Sequence, residues 1–151
     1  DQPRRQQLYL NALKTIPGLS IHFGHFLAKT KRRPLVNPQP GGPRSAEFHD
    51  TEEKGSDVNL ASHLIHDGWR GVYDAAVVVS KDTDLVEPMR LVIQDLRKPV
   101  GLLCPDGKVP PQLRQVASFV RHITPPRLAA AQFPNPVVTA DGRQIPKPAT
   151  W

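Results

Sequence analysis

Lys54-Gly55-Ser56-Asp57-Val58-Asn59-Leu60 and Ala75-Ala76-Val77-Val78-Val79-Ser80-Lys81-Asp82-Thr83-Asp84 are the stretches whose reading decides the fold. The first opens a helix. Residues 56 to 69 put Val58, Ala61, Leu64 and Ile65 on one face, with Ser56 placed as the N-cap. The second is a strand and the turn that ends it. Residues 74 to 80 are valine-rich and apolar through their centre, the composition of a strand covered on both faces of a parallel sheet. Asp57 then falls in a first helical turn, where the helix dipole favours a carboxylate. Ser80, Asp82 and Asp84 fall beyond the carboxyl end of the strand, where open sheets of this kind bind ligands. Three carboxylates so placed can hold a divalent cation. Asp57 also has a purely structural reading as a first-turn charge, and Asp84 with Glu87 fits a capping box for a helix over 85 to 96. Asp82 has no such structural account at this level.

Working outward, residues 3 to 15 place Leu8, Ala12 and Leu13 on one helical face, and Pro17-Gly18 stops that helix. Leu19 to Ala28 alternates as a strand, the Asn37 to Pro43 stretch reads as a flexible loop, and Arg44 to Thr51 is expected to pair back as a hairpin. The basic end of that hairpin, Lys29, Lys31, Arg32 and Arg33, is the candidate phosphate-contacting arm, with a solvated, charged loop as the alternative. Val100 to Cys104 is a second buried strand. Pro110 to Arg121 reads as a helix with Leu113, Val116, Ala117 and Val120 inward, and Arg127 to Phe133 adds a helical turn. The alternation of helix and strand predicts an α/β domain over 1–133 and an irregular, proline-rich tail over 134–151.

Composition sets the frame for function. A chain of 151 residues with 38% hydrophobic residues is enough for one core. No apolar run approaches the ~20 residues needed to cross a bilayer. The single cysteine, Cys104, forms no internal disulfide, and a reducing cytoplasm is the simplest home. The net charge of +6 conceals a pattern. Residues 1 to 44 hold eight Lys/Arg against one acid, residues 45 to 95 four against eleven, and residues 96 to 151 eight against two. An acidic middle between basic arms suits a metal site facing a polyanion; solvated surface charge is the alternative. Histidines offer a rival metal reading. His22 and His25 fall on opposite faces of the predicted strand, and His63 and His66 share a helix without a third ligand nearby in sequence, which disfavours zinc.

Lys54-Gly55-Ser56-Asp57-Val58-Asn59-Leu60, Tyr73-Asp74 and the valine strand ending in Ser80-Lys81-Asp82-Thr83-Asp84-Leu85 resemble the NYN domain, a branch of the PIN-like nucleases, over most of residues 1–133. The resemblance implies a Rossmann-like, three-layer α/β/α sandwich with a mainly parallel central sheet. It implies metal-dependent cleavage of RNA, with Mg²⁺ or Mn²⁺ held by carboxylates. Asp57 matches the acid of the Lys-Gly-x-Asp element, Asp82 and Asp84 match the Ser-x-Asp-x-Asp element, and Ser80 is a supporting hydroxyl. The family opens with a strand ending in an Asp-Gly-x-Asn type motif. This sequence opens at Asp1 with Met89 as its only methionine, so roughly the first third to quarter of such a domain is expected to be missing. A sheet with that gap would favour dimers or aggregation.

In that reading the cation lowers the pKa of an attacking water and neutralises charge on the phosphate. Asp82 and Asp57 are the leading ligands, Asp84 follows, and Lys54 touches phosphate or balances Glu52 and Glu53. A non-catalytic RNA-binding module and a nucleotide-sugar transferase are the alternatives; the latter lacks a glycine-rich phosphate loop. Some relatives of the family carry a hydroxylase label for pyridine compounds. The sequence shows no flavin, haem or iron-triad signature for such redox chemistry.

Overall fold

The structure, a computed structural model, describes residues 2–149. In chain order its elements are helix α1 (Gln2–Leu13), strands β1 (His25–Pro34) and β2 (Ser45–Lys54), and helix α2 (Ser56–Trp69). Strand β3 (Ala76–Val78), a 3-10 turn (Thr83–Leu85), helix α3 (Val86–Gln94) and strand β4 (Val100–Cys104) follow. Helix α4 (Pro111–Val116), strand β5 (Phe119–His122), helix α5 (Pro125–Ala130) and the short strands β6 (Val137–Val138) and β7 (Gln144–Ile145) complete it. The chain divides into two compact units.

One unit takes His22–Ala76 and Asp82–Val100. Its β1 and β2 form an antiparallel hairpin from Pro34↔Ser45 at the turn to His25↔Lys54 at the open end. The strand thus starts at His25 rather than at Leu19. The reason is register. The turn that follows Pro34 is closed by the Leu35 N–H donating to the Arg44 carbonyl at 2.9 Å, and the residues opposite Ser45–Lys54 are then 25 to 34. Helix α2 occupies the span its apolar spacing predicts and packs on α3. Leu64, Leu85, Met89, Val92 and Val100 form the buried centre of this unit.

The other unit takes the residues up to Ile21, Val77–Lys81 and the chain from Gly101 onward. It carries a small parallel sheet in the order β3-β4-β5, with Gly101↔Phe119 to Cys104↔His122 in register. Its buried residues include Ala12, Val78, Leu102, Cys104, Leu113 and Val137. Strands β6 and β7 pair antiparallel, and α1 packs against β7.

The chain is therefore mixed α/β with one small parallel sheet and antiparallel hairpins, and not a clear three-layer sandwich. Three local readings fail. The valine strand was expected to be covered on both faces, yet Val77 and Val79 are 57% and 55% exposed and only Val78 is buried. An unbroken apolar run does not say which of its two faces is covered, and β3 is at the edge of its sheet. The helix expected over 110 to 121 stops at Val116, where Ala117 turns extended, and Phe119–His122 joins β4 as a parallel strand. Helical spacing of Leu113, Val116 and Val120 concealed that switch. The stretch expected to be an irregular tail carries the β6–β7 hairpin.

Candidate functional site

Asp57 sits in the first turn of α2 and is exposed. The residue before the helix, Gly55, has φ 96°, a left-handed conformation that costs glycine little and a side-chain-bearing residue more. Gly55, as the N-cap residue, supplies no side-chain cap. Ser56, read from the sequence as that cap, instead donates its hydroxyl to Glu53 Oε2 at 2.6 Å and its backbone N–H to Glu53 Oε1 at 3.2 Å. Glu53 thus satisfies an N–H at the helix start from outside the helix.

Asp82 proves to have a structural task. Its Oδ1 accepts the backbone N–H of Asp84 at 2.9 Å and so caps the 3-10 turn that leads into α3. The capping box expected from Asp84 and Glu87 does not form: α3 begins at Val86 without a side-chain cap, and Glu87 receives Arg90 instead. Asp84 is exposed and Ser80 half-buried. Among the described residues no group of three or more His, Cys, Asp or Glu is arranged to hold a metal ion, so Asp57, Asp82 and Asp84 are not gathered as a ligand set.

The cations of the hairpin are largely engaged by its own acids. Lys29 Nζ lies 2.9 Å from Glu52 Oε2, Lys31 reaches Asp50 Oδ2 at 2.5 Å and also Glu52, and Lys54 Nζ lies 3.1 Å from Glu52 Oε2. Arg32 donates to Ser45 Oγ at 2.8 Å. Arg33 is exposed. The Lys31 ammonium beside it holds the Asp50 carboxyl below the usual carboxylate range. The alternation of the hairpin faces these opposite charges across the strands, a pairing the sequence shows only once the register is known. The histidines also regroup. His22 lies before β1 rather than on it, and its ring sits 3.8 Å from that of His63, whose Nδ1 is 3.7 Å from Asp67. The helical spacing of His63 and His66 did not point to this pair.

In the sheet-bearing unit, the carboxyl ends of β3 and β4 bring together a pair that sequence reading missed. Lys81 Nζ and Asp106 Oδ2 are 2.6 Å apart. The Lys81 ammonium, helped by the Lys108 backbone N–H, holds Asp106 below its ordinary value of 3.8, and Asp106 in turn raises Lys81. The buried Cys104 Sγ lies 3.3 Å from the Lys108 carbonyl and 3.7 Å from Asp106 Oδ1. The signal was present in Pro105-Asp106-Gly107, a turn directly after a strand.

The same unit contains a cavity of about 370 Å³ lined by α1 and the C-terminal segment. Tyr9, Phe133, Val137 and Ile145 supply apolar walls, and Gln132 and Lys147 the polar groups. Tyr9 and Phe133 meet edge to face, ring centroids 6.3 Å apart at 75°. Here too a signal was available: Asp141-Gly142 between Val137-Val138 and Gln144-Ile145 is a hairpin turn signature, and Gly142 takes φ 81°.

The geometry thus defines a small mixed α/β protein with an apolar, aromatic-walled cavity and an ion pair at the end of its parallel sheet. No family model and no solved structure matches the chain. A curated protein of Pseudomonas putida (strain DSM 28022 / S16), the 6-hydroxy-3-succinoylpyridine 3-monooxygenase HspA, is 28% identical over 163 aligned positions, which cover 100% of this chain and 52% of that protein. The chain therefore spans about half the length of this relative.

These findings overturn the nuclease reading. The NYN resemblance rested on residues 54–60, Tyr73-Asp74 and the valine strand ending in residues 80–85 and has no family match behind it, while a protein that aligns with the whole of this chain over 52% of its own length is named for oxygenation of a pyridine. Phosphodiester hydrolysis of RNA, and with it the RNA-binding and transferase alternatives, is withdrawn. The structure adds a role for Asp82 that the motif reading did not contain, the satisfaction of a backbone N–H at a helix entry. No helix among the described residues is long and apolar enough to cross a membrane.

Proposed function

We infer that this chain forms part of a monooxygenase acting on a small N-heteroaromatic compound, most directly a hydroxylated pyridine bearing a carboxylate side chain. One observation carries the reading: the alignment with 6-hydroxy-3-succinoylpyridine 3-monooxygenase runs through the whole chain rather than through one motif. An alignment of that extent includes the core strands and both polar loops of the sheet end. Oxygenation at position 3 falls on the ring carbon that carries the succinoyl group, so one atom of dioxygen becomes the new ring hydroxyl as the ring–acyl bond breaks. With reduced nicotinamide as the class of reductant supplied from outside, the acyl group leaves either as an aldehyde, with four electrons and four protons consumed and the second oxygen atom released as water, or as a carboxylic acid, with two electrons and two protons consumed and no net water.

The chain's own residues suit the binding half of that task. The apolar cavity with aromatic walls and a few polar groups, Gln132 and Lys147, is what a site for a small ring requires, and the Lys81–Asp106 pair at the sheet end is not among its lining residues. The test is to incubate the full-length protein with 6-hydroxy-3-succinoylpyridine, reduced nicotinamide and heavy-isotope dioxygen, and to follow the product by mass spectrometry. Incorporation of one heavy oxygen atom per product molecule supports the reading. Loss of substrate without isotope incorporation, or no turnover above a protein-free control, removes it.

A further inference from the structure

The geometry points to the cavity between α1 and the C-terminal segment as a binding site for a small, flat aromatic carboxylate, its ring against Tyr9 and Phe133 and its acid group at Lys147. The inference rests on the oxygenase reading for the substrate class, but its location comes from the cavity alone. At about 370 Å³ the space lies near the lower end of small-molecule pockets, which suits a single ring with a short side chain rather than a nucleotide. Its walls are apolar, and an edge-to-face aromatic pair offers a ring both a face and an edge to pack on.

Two polar groups give the site direction. Lys147 lines the cavity, is exposed, and makes no ion pair with any described residue; its backbone N–H is held by Asn135 Oδ1 at 3.0 Å, which anchors the segment that carries it. An ammonium at the rim of an apolar space selects an anionic group on a ligand whose remainder is apolar. Gln132 donates its Nε2 to the Leu128 carbonyl at 2.9 Å, which leaves Oε1 as the acceptor for a ring N–H or hydroxyl. Pro134, Pro146 and Pro148 fix φ along the lining, so little chain entropy is lost when the site fills.

The experiment is calorimetric titration of the full chain, without reductant, using 6-hydroxy-3-succinoylpyridine and the uncharged 2-hydroxypyridine as probes. Lys147 is exposed, so Lys147→Gln and Lys147→Arg leave the fold intact. The expected result is affinity for the acid that falls about tenfold in Lys147→Gln and is largely kept in Lys147→Arg, while the uncharged probe binds all three alike. Equal affinity of the acid for wild type and Lys147→Gln, or no binding by wild type at millimolar probe, overturns the inference. Heavy-oxygen turnover is read separately on the same proteins. Turnover that persists with Lys147-independent binding removes this site and keeps the oxygenase; Lys147-dependent binding without turnover does the reverse.

Discussion

Asp82→Ala is expected to destabilise the protein by about 1 kcal/mol, the usual cost of deleting an N-cap acceptor. The magnitude follows from what the cap holds. Asp82 Oδ1 takes the Asp84 N–H at 2.9 Å, and the turn so fixed delivers Leu85, 1% exposed, and then Met89, 0% exposed, into the buried centre of their unit. Without the acceptor, the Asp84 N–H turns to water and the turn frays, but the apolar burial of Leu85 and Met89 limits the loss. In urea, with a slope of about 2 kcal/mol/M, the midpoint should fall by about 0.5 M with the slope unchanged. Asn keeps the acceptor oxygen and loses only the charge, so Asp82→Asn should cost about 0.3 kcal/mol, a midpoint change within about 0.2 M. Circular dichroism melts in urea, run in EDTA and in Mn²⁺, measure both. An Asn variant as unstable as the Ala variant would refute the capping argument. So would a wild-type midpoint that rises with Mn²⁺ and stops doing so in Asp82→Asn, since that is the behaviour of a ligand.

Three further outcomes are expected. Gly68→Ala should gain about 1 kcal/mol of helix propensity and still destabilise by about 1–3 kcal/mol net, because a Cβ there would meet Tyr73 Oη at 2.5 Å and Leu96 Cδ1 at 3.2 Å; thermal unfolding reads the sign. Burial raises the Tyr73 phenol above its ordinary value of 10.0, Asp67 adding to the effect, and its hydroxyl donates to the Leu64 carbonyl. The unfolded chain therefore loses this proton first. The contribution of Tyr73 is complete below pH 10 and declines as pH rises through the folded value, so urea midpoints between pH 9 and pH 11 should fall less in Tyr73→Phe than in wild type. Lys81→Gln should return the Asp106 carboxyl toward its ordinary 3.8, seen by carboxyl-carbon NMR titration; an unmoved midpoint would show that the Lys108 amide alone sets it.

How much the sequence discloses depends on whether the deciding interaction is local. Helix α2 is legible because Val58, Ala61, Leu64 and Ile65 carry their own period, and β4 because Val100 to Cys104 is apolar whichever face is covered. The hairpin's second arm is legible from the prolines and glycines before it, but its register is not, since it is set by closure of the turn at Leu35 and Arg44. Strand β5 escaped because Val120 continues the helical period of Leu113, Val116 and Ala117, and only the partner, Gly101–Leu102, makes Phe119 and Val120 a strand. The same limit applies to the sites. Lys81 and Asp106 are 25 residues apart, and nothing but the adjacency of β3 and β4 unites them. Tyr9 meets Phe133 only after the C-terminal hairpin has formed beside α1.

The acidic motif shows why local chemistry misleads about function. The position after a strand and before a helix is where ligands bind in open sheets, and it is also where a helix needs an acceptor for its first N–H groups. Aspartate answers both demands, so Ser80-Lys81-Asp82-Thr83-Asp84 looks alike in either case until the direction of each carboxylate is known. In this chain Asp82 accepts the backbone N–H of Asp84, Lys81 turns to Asp106, and Lys29, Lys31 and Lys54 of the hairpin face Asp50 and Glu52. Charges already committed to intramolecular partners must lose those partners before they bind a phosphate or a metal, so they contribute little to either affinity. The Lys147 ammonium at the rim of the apolar cavity makes no such ion pair among the described residues. It is therefore the Lys147 charge, and not the acidic cluster, whose neutralisation should change what this protein binds.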